Sequence, residues 1–224
     1  MLNGGWFGPA LAAHVPRLAR AYGIDCRLPE RDRVAVTFDD GPHAEGTPAV
    51  LAELARHGAT ATFFLVGEQV ARQPALAREI VDAGHEVAVH GYRHTLLLRR
   101  RVRELADDLD RALAAIAAAT GVEPTLYRPP YGVFSSGSLE HVLARGWRPL
   151  LWSTWGRDWE RRASPAAIAR RATHGLSAGD VVLLHDSDAY SSDDSWRRTA
   201  AALPSVLAAI DALGVPAAAV THST

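Results

Sequence analysis

The sequence predicts an α/β protein in which about seven parallel strands form a barrel-like sheet surrounded by helices. Two observations favour this fold class. Short apolar runs of strand length alternate with longer segments of helical periodicity, which is the pattern of repeated β/α units. Polar residues also follow five of the predicted strands, and the carboxyl ends of parallel strands meet at one rim in a barrel.

The predicted elements alternate along almost the whole chain. The strands are the apolar runs at 33–38, 60–65, 85–89, 125–128, 148–153, 180–185 and 215–220. The helical segments between them lie at 47–58, 73–84, 100–121, 136–146, 164–175 and 196–214, and each ends in glycine, which readily forms a left-handed cap. Thr47–Pro48 and Ser164–Pro165 predict helix starts, because a capping hydroxyl precedes a proline that suits the first turn.

An open, doubly wound sheet would show the same alternation, so the strand ends must decide between the two architectures. An open sheet concentrates its site at one switch point, whereas a barrel builds its site from several strand ends. Here the polar residues at the strand ends are Asp39 and Asp40, His90, Arg128, the segment 153–158, and His185. Five strands therefore contribute to one rim, which favours the barrel.

Composition and the amino terminus limit the function classes and the location. A formal net charge of −1 gives no general attraction to nucleic acid or to an anionic membrane. The first residues have neither the features of a signal peptide nor the length of a transmembrane helix. The chain as it stands is expected in the cytoplasm; removal of a leader or anchor would instead place it outside the cell or at the wall. Residues 1–32 are predicted to form a helical segment packed on a main domain over 33–224, and the oligomeric state stays open.

Two adjacent carboxylates, Asp39 and Asp40, follow the first strand. In isolation the stretch "DDGP" is typical of an acidic turn. His90 and His94 change the interpretation, because a spacing of four residues on a helical turn would bring both imidazoles to one face. Two histidines and a carboxylate match a divalent cation such as zinc, although solvated histidine pairs are also common.

Arg128 and His185 complete the set of polar residues on this rim. Arg128 lies in "YRPPYG" and can hold a carboxylate through two hydrogen bonds, although a surface arginine in a proline-rich turn is the simpler interpretation. His185 ends the apolar run "VVLL", where a packed histidine is more common than a catalytic one. It is nevertheless the third histidine on the same rim.

Five ordered motifs now give a family resemblance. "TFDDGP", "HGYRH", "RPPYG", "WSTWGRDW" and "LLH" occur in that order within about residues 33 to 220. The chain resembles the NodB-type polysaccharide deacetylases, carbohydrate esterase family 4. The resemblance implies a distorted (β/α) barrel of about seven strands, the NodB homology domain, which hydrolyses an acetyl group on a carbohydrate with a divalent metal ion. Zinc is the favoured ion, with cobalt or nickel as alternatives.

The resemblance also implies roles for individual residues. The metal ligands would be Asp40, His90 and His94. Asp39 would be the general base that activates the attacking water, and Arg128 would hold it. His185 would be the general acid, oriented by Asp158.

The remaining implied roles concern the substrate. The backbone N–H of Tyr131 would stabilise the oxyanion, while Leu183 and Trp159 would surround the acetyl methyl group. Trp155 and Tyr131 are predicted as surfaces for a sugar ring, whereas Trp152, inside an apolar run, is predicted to pack in the core.

Two positions depart from the family pattern. Gly91 stands where relatives carry Ser or Thr, so a hydroxyl that could orient the ligand loop is absent. Trp155 stands where relatives often carry an acidic residue, which affects the sugar site more than the chemistry. Separately, residues 186–196 are predicted to form a loop on the active rim, whose carboxylates Asp188, Asp193 and Asp194 would repel acidic glycans.

Three functions are consistent with the sequence. The first is removal of N-acetyl groups from an N-acetylated, GlcNAc-type sugar, oligosaccharide or polysaccharide. The second is hydrolysis of an O-acetyl glycan or a small amide by the same fold. The third is a non-catalytic carbohydrate-binding relative, which is disfavoured because all five residues of the metal, base and acid set are present.

Overall fold

Eight short strands form one sheet in the computed structural model, which describes residues 8–13, 15–99 and 101–221. The strands are β1 (Val34–Asp39), β2 (Thr62–Leu65), β3 (Glu86–Val89), β4 (Leu126–Tyr127), β5 (Arg148–Pro149), β6 (Thr154–Trp155), β7 (Val181–His185) and β8 (Ala217–Ala218). The helices are α1 (Pro16–Ala21), α2 (Gly46–Arg56), α3 (Gly67–Arg72), α4 (Pro74–Asp82), α5 (Val102–Thr120), α6 (Ser136–Ala144), α7 (Pro165–Ala172) and α8 (Ser195–Asp211). Short 3-10 turns occupy Gly8–Leu11, Leu97–Arg99 and Pro130–Gly132.

The sheet is a curled, incomplete barrel. Its strand order is β5-β4-β3-β2-β1-β7-β6, every pairing is parallel, and β8 pairs with β1. The two edge strands, β5 and β6, are consecutive in the chain, so residues 150–153 cross between the two edges of the sheet. The predicted distorted (β/α) barrel is confirmed.

The amino-terminal segment lies across the gap between these edges. The amide of Asp25 donates to the carbonyl of Pro149 (3.0 Å), and that of Leu28 donates to the carbonyl of Gly179 (2.8 Å). Ala19 and Ile24 are buried in the main core. Residues 1–7 and 14 lie outside the described residues, so a helical segment over 1–32 stays a prediction.

Alternation along the strands separates two cores. In β1, Val34, Val36 and Phe38 belong to the large core beneath the helices, whereas Ala35 belongs to a smaller core inside the barrel. Successive strand residues point to opposite faces, so Asp39 shares the interior face with Ala35. The sheet therefore carries an acidic residue on its inner face at the carboxyl end of its central strand.

The predicted strand over 148–153 is wrong beyond its first two residues, because β5 ends at Pro149 and the next strand, β6, begins only at Thr154. Between β5 and β6, the carbonyls of Leu150 and Leu151 accept hydrogen bonds from the Arg128 side chain. These two carbonyls therefore stabilise the buried guanidinium. The short helix α3 was not predicted either. Among the described residues, no helix combines the length and the apolar character needed to span a bilayer.

Candidate active site

Asp39 and Arg128 form a buried ion pair inside the barrel. Arg128 Nη1 donates to Asp39 Oδ1 (2.6 Å), and the arginine is fully buried. The same guanidinium donates to Thr37 Oγ1 (2.9 Å) and to the carbonyls of Leu150 (3.2 Å) and Leu151 (2.8 Å). Because a buried charge is tolerated when it is paired and hydrogen-bonded, this network accommodates the buried guanidinium and holds one oxygen of Asp39 against Arg128.

Asp40, His90 and His94 form a cluster whose ligand atoms all lie within 4.8 Å of one another. Asp40 Oδ1 lies 3.5 Å from His90 Nε2 and 3.3 Å from His94 Nε2. Among the described residues, this oxygen has no hydrogen-bond partner although it is buried. A buried oxygen left without a partner is costly unless a ligand satisfies it. The geometry and the donor set therefore fit a divalent cation.

The two histidines are held in different ways. His90 Nδ1 donates to the carbonyl of Arg128 (2.8 Å), which leaves Nε2 facing the cluster. His94 Nδ1 is buried without a hydrogen-bond partner among the described residues. Its ring instead stacks on Tyr190, with centroids 4.3 Å apart and an angle of 15°, and meets the edge of Tyr131 at 4.5 Å. Aromatic contacts replace the second hydrogen bond that a ligating histidine usually makes.

The segment that carries both histidines is not helical, so the predicted helical turn is wrong. Gly91 has a φ of +88°, which only glycine adopts readily, and it turns the chain immediately after His90. The amide of Tyr92 then donates to Asp108 Oδ2 (2.8 Å). A carboxylate from α5 thus fixes the loop that follows Gly91.

The ionisation of the cluster suits a cation. Burial lowers the pKa of His94 to about 4, against the opposing effect of Asp40, so its imidazole is neutral at pH 7. Burial would raise the pKa of Asp40, but the close approach of His90 and the charges of nearby histidines outweigh it and hold the pKa at about 2. Since Asp39 is neutralised by Arg128, the Asp40 carboxylate is the cluster's uncompensated charge.

His185 lies at the end of β7, directly opposite Asp39 in the β1–β7 register. Its Nδ1 donates to Asp158 Oδ1 (2.9 Å), and its backbone amide donates to Asp158 Oδ2 (2.7 Å). Thr199 also donates to Asp158 Oδ2 (2.8 Å). Burial alone would lower the pKa of His185, but the ion pair and hydrogen bond with Asp158 outweigh it and raise the pKa to about 10. This imidazole is therefore held protonated with Nε2 directed away from its partner.

These groups open into one cavity of about 320 Å³. The predicted site residues that line it are Asp39, Asp40, His90, His94, Tyr131, Trp155, Trp159, Leu183 and His185. Arg128 and Asp158 are fully buried behind it. Trp152 packs against the core, as predicted, and also lines the cavity. Tyr131 has a φ of 60° and is 58% exposed, so its ring lies at the rim.

The loop over 186–194 lines the cavity through Tyr190 and Ser191. Sequence reasoning missed both residues, because a tyrosine in a Ser- and Asp-rich loop gives no periodic signal. The loop therefore contributes to the wall of the cavity, whereas the effect of its carboxylates on acidic glycans stays a prediction. Asp188 pairs with His43 (3.3 Å) and Asp194 with Arg197 (2.9 Å), and neither they nor Asp193 line the cavity.

Comparison with known proteins identifies the family. Residues 27–149 match the family model described as polysaccharide deacetylase. The chain belongs to the polysaccharide deacetylase family. It is 35% identical over 184 residues to the chitooligosaccharide deacetylase of a Bradyrhizobium strain, covering 77% of this chain and 84% of that protein. It is also 34% identical over 154 residues to the peptidoglycan-N-acetylglucosamine deacetylase PgdA of Listeria monocytogenes, covering 69% of this chain. The match spans about a third, 32%, of that longer relative.

Solved polysaccharide deacetylases share the fold. The Bc1960 peptidoglycan N-acetylglucosamine deacetylase, solved with a hydroxamate-type benzamide, superposes with a TM-score of 0.83 at 26% identity, covering 90% of this chain and 92% of that one. A family 4 carbohydrate esterase from Streptomyces lividans in complex with acetate superposes with a TM-score of 0.74 at 33% identity. The match covers 83% of this chain and 91% of that one. The resemblance to carbohydrate esterase family 4 is confirmed.

Proposed function

We propose that this polysaccharide deacetylase removes N-acetyl groups from an N-acetylated, GlcNAc-type sugar, oligosaccharide or polysaccharide in a metal-dependent hydrolysis. One observation carries the proposal. A held carboxylate, a three-residue ligand cluster and a protonated imidazole open into the same cavity. Amide hydrolysis needs these three functions together: a base for water, an electrophile at the carbonyl and an acid for the leaving amine.

Asp40, His90 and His94 would hold the metal ion. One carboxylate oxygen and two imidazole nitrogens suit zinc with positions left for water and substrate, and cobalt or nickel accept the same ligands. A divalent cation bound there polarises the acetyl carbonyl and lowers the pKa of water. The hydrogen bond from His90 Nδ1 to the Arg128 carbonyl orients the ring so that Nε2 faces the cluster. The His94 ring is held by its aromatic neighbours instead.

The proton transfers fall to Asp39 and His185. Asp39 would accept the proton of the attacking water through Oδ2, because Oδ1 is bonded to Arg128. His185 would donate a proton from Nε2 to the leaving amine, because Asp158 holds Nδ1. Asp39 and His185 end neighbouring strands in register, which supports a base and an acid that would both face one bound acetyl group.

The other lining residues would position the substrate. The backbone N–H of Tyr131 would donate to the oxyanion that forms at the carbonyl. Leu183 and Trp159 would enclose the acetyl methyl group, and Trp155 would contact the sugar ring. The division into an amino-terminal segment over 1–32 and a catalytic domain over 33–224, together with a cytoplasmic location, stays part of this proposal.

Hydrolysis of O-acetyl glycans or small amides is the alternative, since the same groups would act on an ester or another amide. The test is acetate release from matched N-acetyl and O-acetyl oligosaccharides with zinc, with cobalt and after chelation. We expect N-acetyl substrates to be cleaved faster, and chelation to abolish release. Asp39→Asn should lose at least roughly 100-fold in turnover while retaining metal, because it leaves the ligands intact. Faster release from O-acetyl substrates would favour the alternative, and no release from any substrate would indicate a non-catalytic relative.

A further inference from the structure

A second, larger cavity adjoins the active site. It has a volume of about 700 Å³ and lies between the amino-terminal segment and the chain that crosses from β5 to β6. Trp152 and Trp155 line both this cavity and the active-site cavity. The two cavities therefore meet at these two side chains.

A row of aromatic rings connects the two cavities. Trp159 lies 5.4 Å from His185 between ring centroids, Trp155 lies 5.3 Å from Trp159, and Trp152 lies 5.5 Å from Trp155. All three indoles are partly exposed. The apolar faces of pyranose rings stack on aromatic side chains, so this row suits successive sugar units of one glycan.

The second cavity carries excess positive charge. Arg20, Arg27 and Arg31 line it, against one lining carboxylate, Asp25, which is already paired with Arg148 (2.7 Å). Within the described ranges, Arg20 and Arg31 are exposed and form no ion pair.

Arg27 is paired with Asp180 (2.8 Å), but its side chain remains 52% exposed. A guanidinium presents a planar pair of donors that matches a carboxylate, so the cavity has unused donors for an acid.

We propose that the second cavity is a subsite for a carboxylate-bearing sugar unit of the glycan whose acetamido group reacts at the metal cluster. This inference rests on the proposed deacetylase function and deepens it. The tryptophan row would carry the glycan from His185 to the cavity, where Arg20 and Arg31 bind the carboxylate. The enzyme would then select N-acetylated glycans that are acidic beyond the reacting sugar.

The test compares two N-acetylated oligosaccharides of equal length, one neutral and one with a carboxylate on a sugar next to the reacting unit. The variant is Arg20→Gln/Arg31→Gln. Its matched control is Arg103→Gln/Arg170→Gln, which removes the same charge from exposed positions on α5 and α7 that do not line either cavity. Equal melting temperatures show that both variants fold.

For the wild type we expect a lower KM for the acidic substrate, which rises with salt because the attraction is screened. Arg20→Gln/Arg31→Gln should raise that KM by roughly tenfold or more, as the loss of about 1.4 kcal/mol of binding would do. Its kcat, and its KM for the neutral substrate, should not change. The control should behave as the wild type. The affinity for a product-like acidic oligosaccharide, measured by calorimetry, should likewise be equal in the wild type and the control and lower in Arg20→Gln/Arg31→Gln.

Equal KM values for the two substrates in the wild type would overturn the subsite. So would a loss of acidic preference in the control, or an equal rise in KM for both substrates in the variant. These outcomes differ from failure of the proposed function, in which the wild type would release no acetate even from the neutral substrate.

Discussion

At the scale of single residues, three of the side chains proposed to act in catalysis are anchored at their far end. Arg128 fixes one oxygen of Asp39, the carbonyl of Arg128 fixes one nitrogen of His90, and Asp158 fixes one nitrogen of His185. In each case the remaining polar atom is directed to the cavity. Anchored groups lose little freedom when the substrate binds, which favours reaction.

The first prediction concerns Asp158→Asn. The Asp158 charge helps to raise the pKa of His185 to about 10, and the protonated imidazole is the proposed acid. Activity should therefore fall as the pH rises through this pKa. Removing the charge lowers the pKa, so the alkaline limb of kcat/KM should move to lower pH. The side-chain oxygen of Asn can still accept a hydrogen bond from the backbone amide of His185, so that contact is retained.

A pH profile of acetate release from pH 6 to about 11 measures this effect. Thr199→Val is the control, because it removes a hydrogen bond to Asp158 and leaves the carboxylate in place. An alkaline limb at the same pH in Asp158→Asn and the wild type would contradict the assigned role of Asp158.

The second prediction concerns Tyr190, which stacks on His94. Within the part of the chain that the structure describes, Nδ1 of His94 has no hydrogen-bond partner. Tyr190→Leu should weaken zinc binding by roughly 10- to 100-fold, the usual effect of losing a contact that orients a ligand. Tyr190→Phe keeps the stacked ring and should bind zinc nearly as well as the wild type. Competition with a chromogenic chelator measures both.

The two variants separate stacking from hydrogen bonding. The hydroxyl of Tyr190 donates to Glu68 Oε1 (2.6 Å) and accepts from Gln69 (3.1 Å), and Phe loses both bonds. An equal loss of zinc affinity in Tyr190→Phe and Tyr190→Leu would assign the effect to the hydroxyl. Unchanged affinity in Leu would show that Tyr190 does not position His94.

At the scale of elements, Asp186 after β7 contacts both the loop after β1 and the first turn of α2. Thr47 donates a short hydrogen bond to Asp186, whose carboxyl group is fully buried next to His185. A Cβ at Gly41 would lie 2.5 Å from Asp186 Oδ2, so glycine is required for this close approach. Burial raises the pKa of Asp186 to about 7, with Thr47 opposing and Asp40 adding to the shift.

The third prediction is that Thr47→Val destabilises the fold by about 1–3 kcal/mol, because a buried carboxyl group loses its partner while the volume is conserved. Urea unfolding measures the change. Thr173→Val is a suitable control, since in the described ranges the Thr173 hydroxyl hydrogen-bonds only to the carbonyl of Ala169 (2.8 Å) and the residue is partly exposed. A loss below about 0.5 kcal/mol in Thr47→Val would show that water satisfies Asp186.

Sequence periodicity predicted most elements at this scale, and its failures have physical causes. The run over 148–153 is apolar enough for a strand, but the carbonyls of Leu150 and Leu151 bond to Arg128, a residue about 22 positions away. The HGYRH segment has helical spacing, but the left-handed φ of Gly91 makes a turn that periodicity does not detect. In both places, contacts or backbone geometry next to the candidate site override the local sequence pattern.

At the scale of the whole molecule, parallel strands collect residues from distant motifs at one rim. This is why residues from separate motifs line one cavity, while their roles as base, acid and metal ligands stay a proposal. The second cavity was not predictable in the same way. Its walls come from residues 20–31, 152–155 and 178–179, which carry no common motif and meet only because the amino-terminal segment covers the gap in the barrel.

The central claim is that Asp40, His90 and His94 hold a divalent cation on which acetate release depends. The most direct measurement is the rate of acetate release from a short N-acetylated chitooligosaccharide as zinc is titrated into metal-free protein. The rate should rise from near zero and level off at about one equivalent, since the three ligands form a single site. Asp40→Asn should show no such rise at stoichiometric zinc. Full activity of the metal-free protein, or an unchanged titration in Asp40→Asn, would contradict the account.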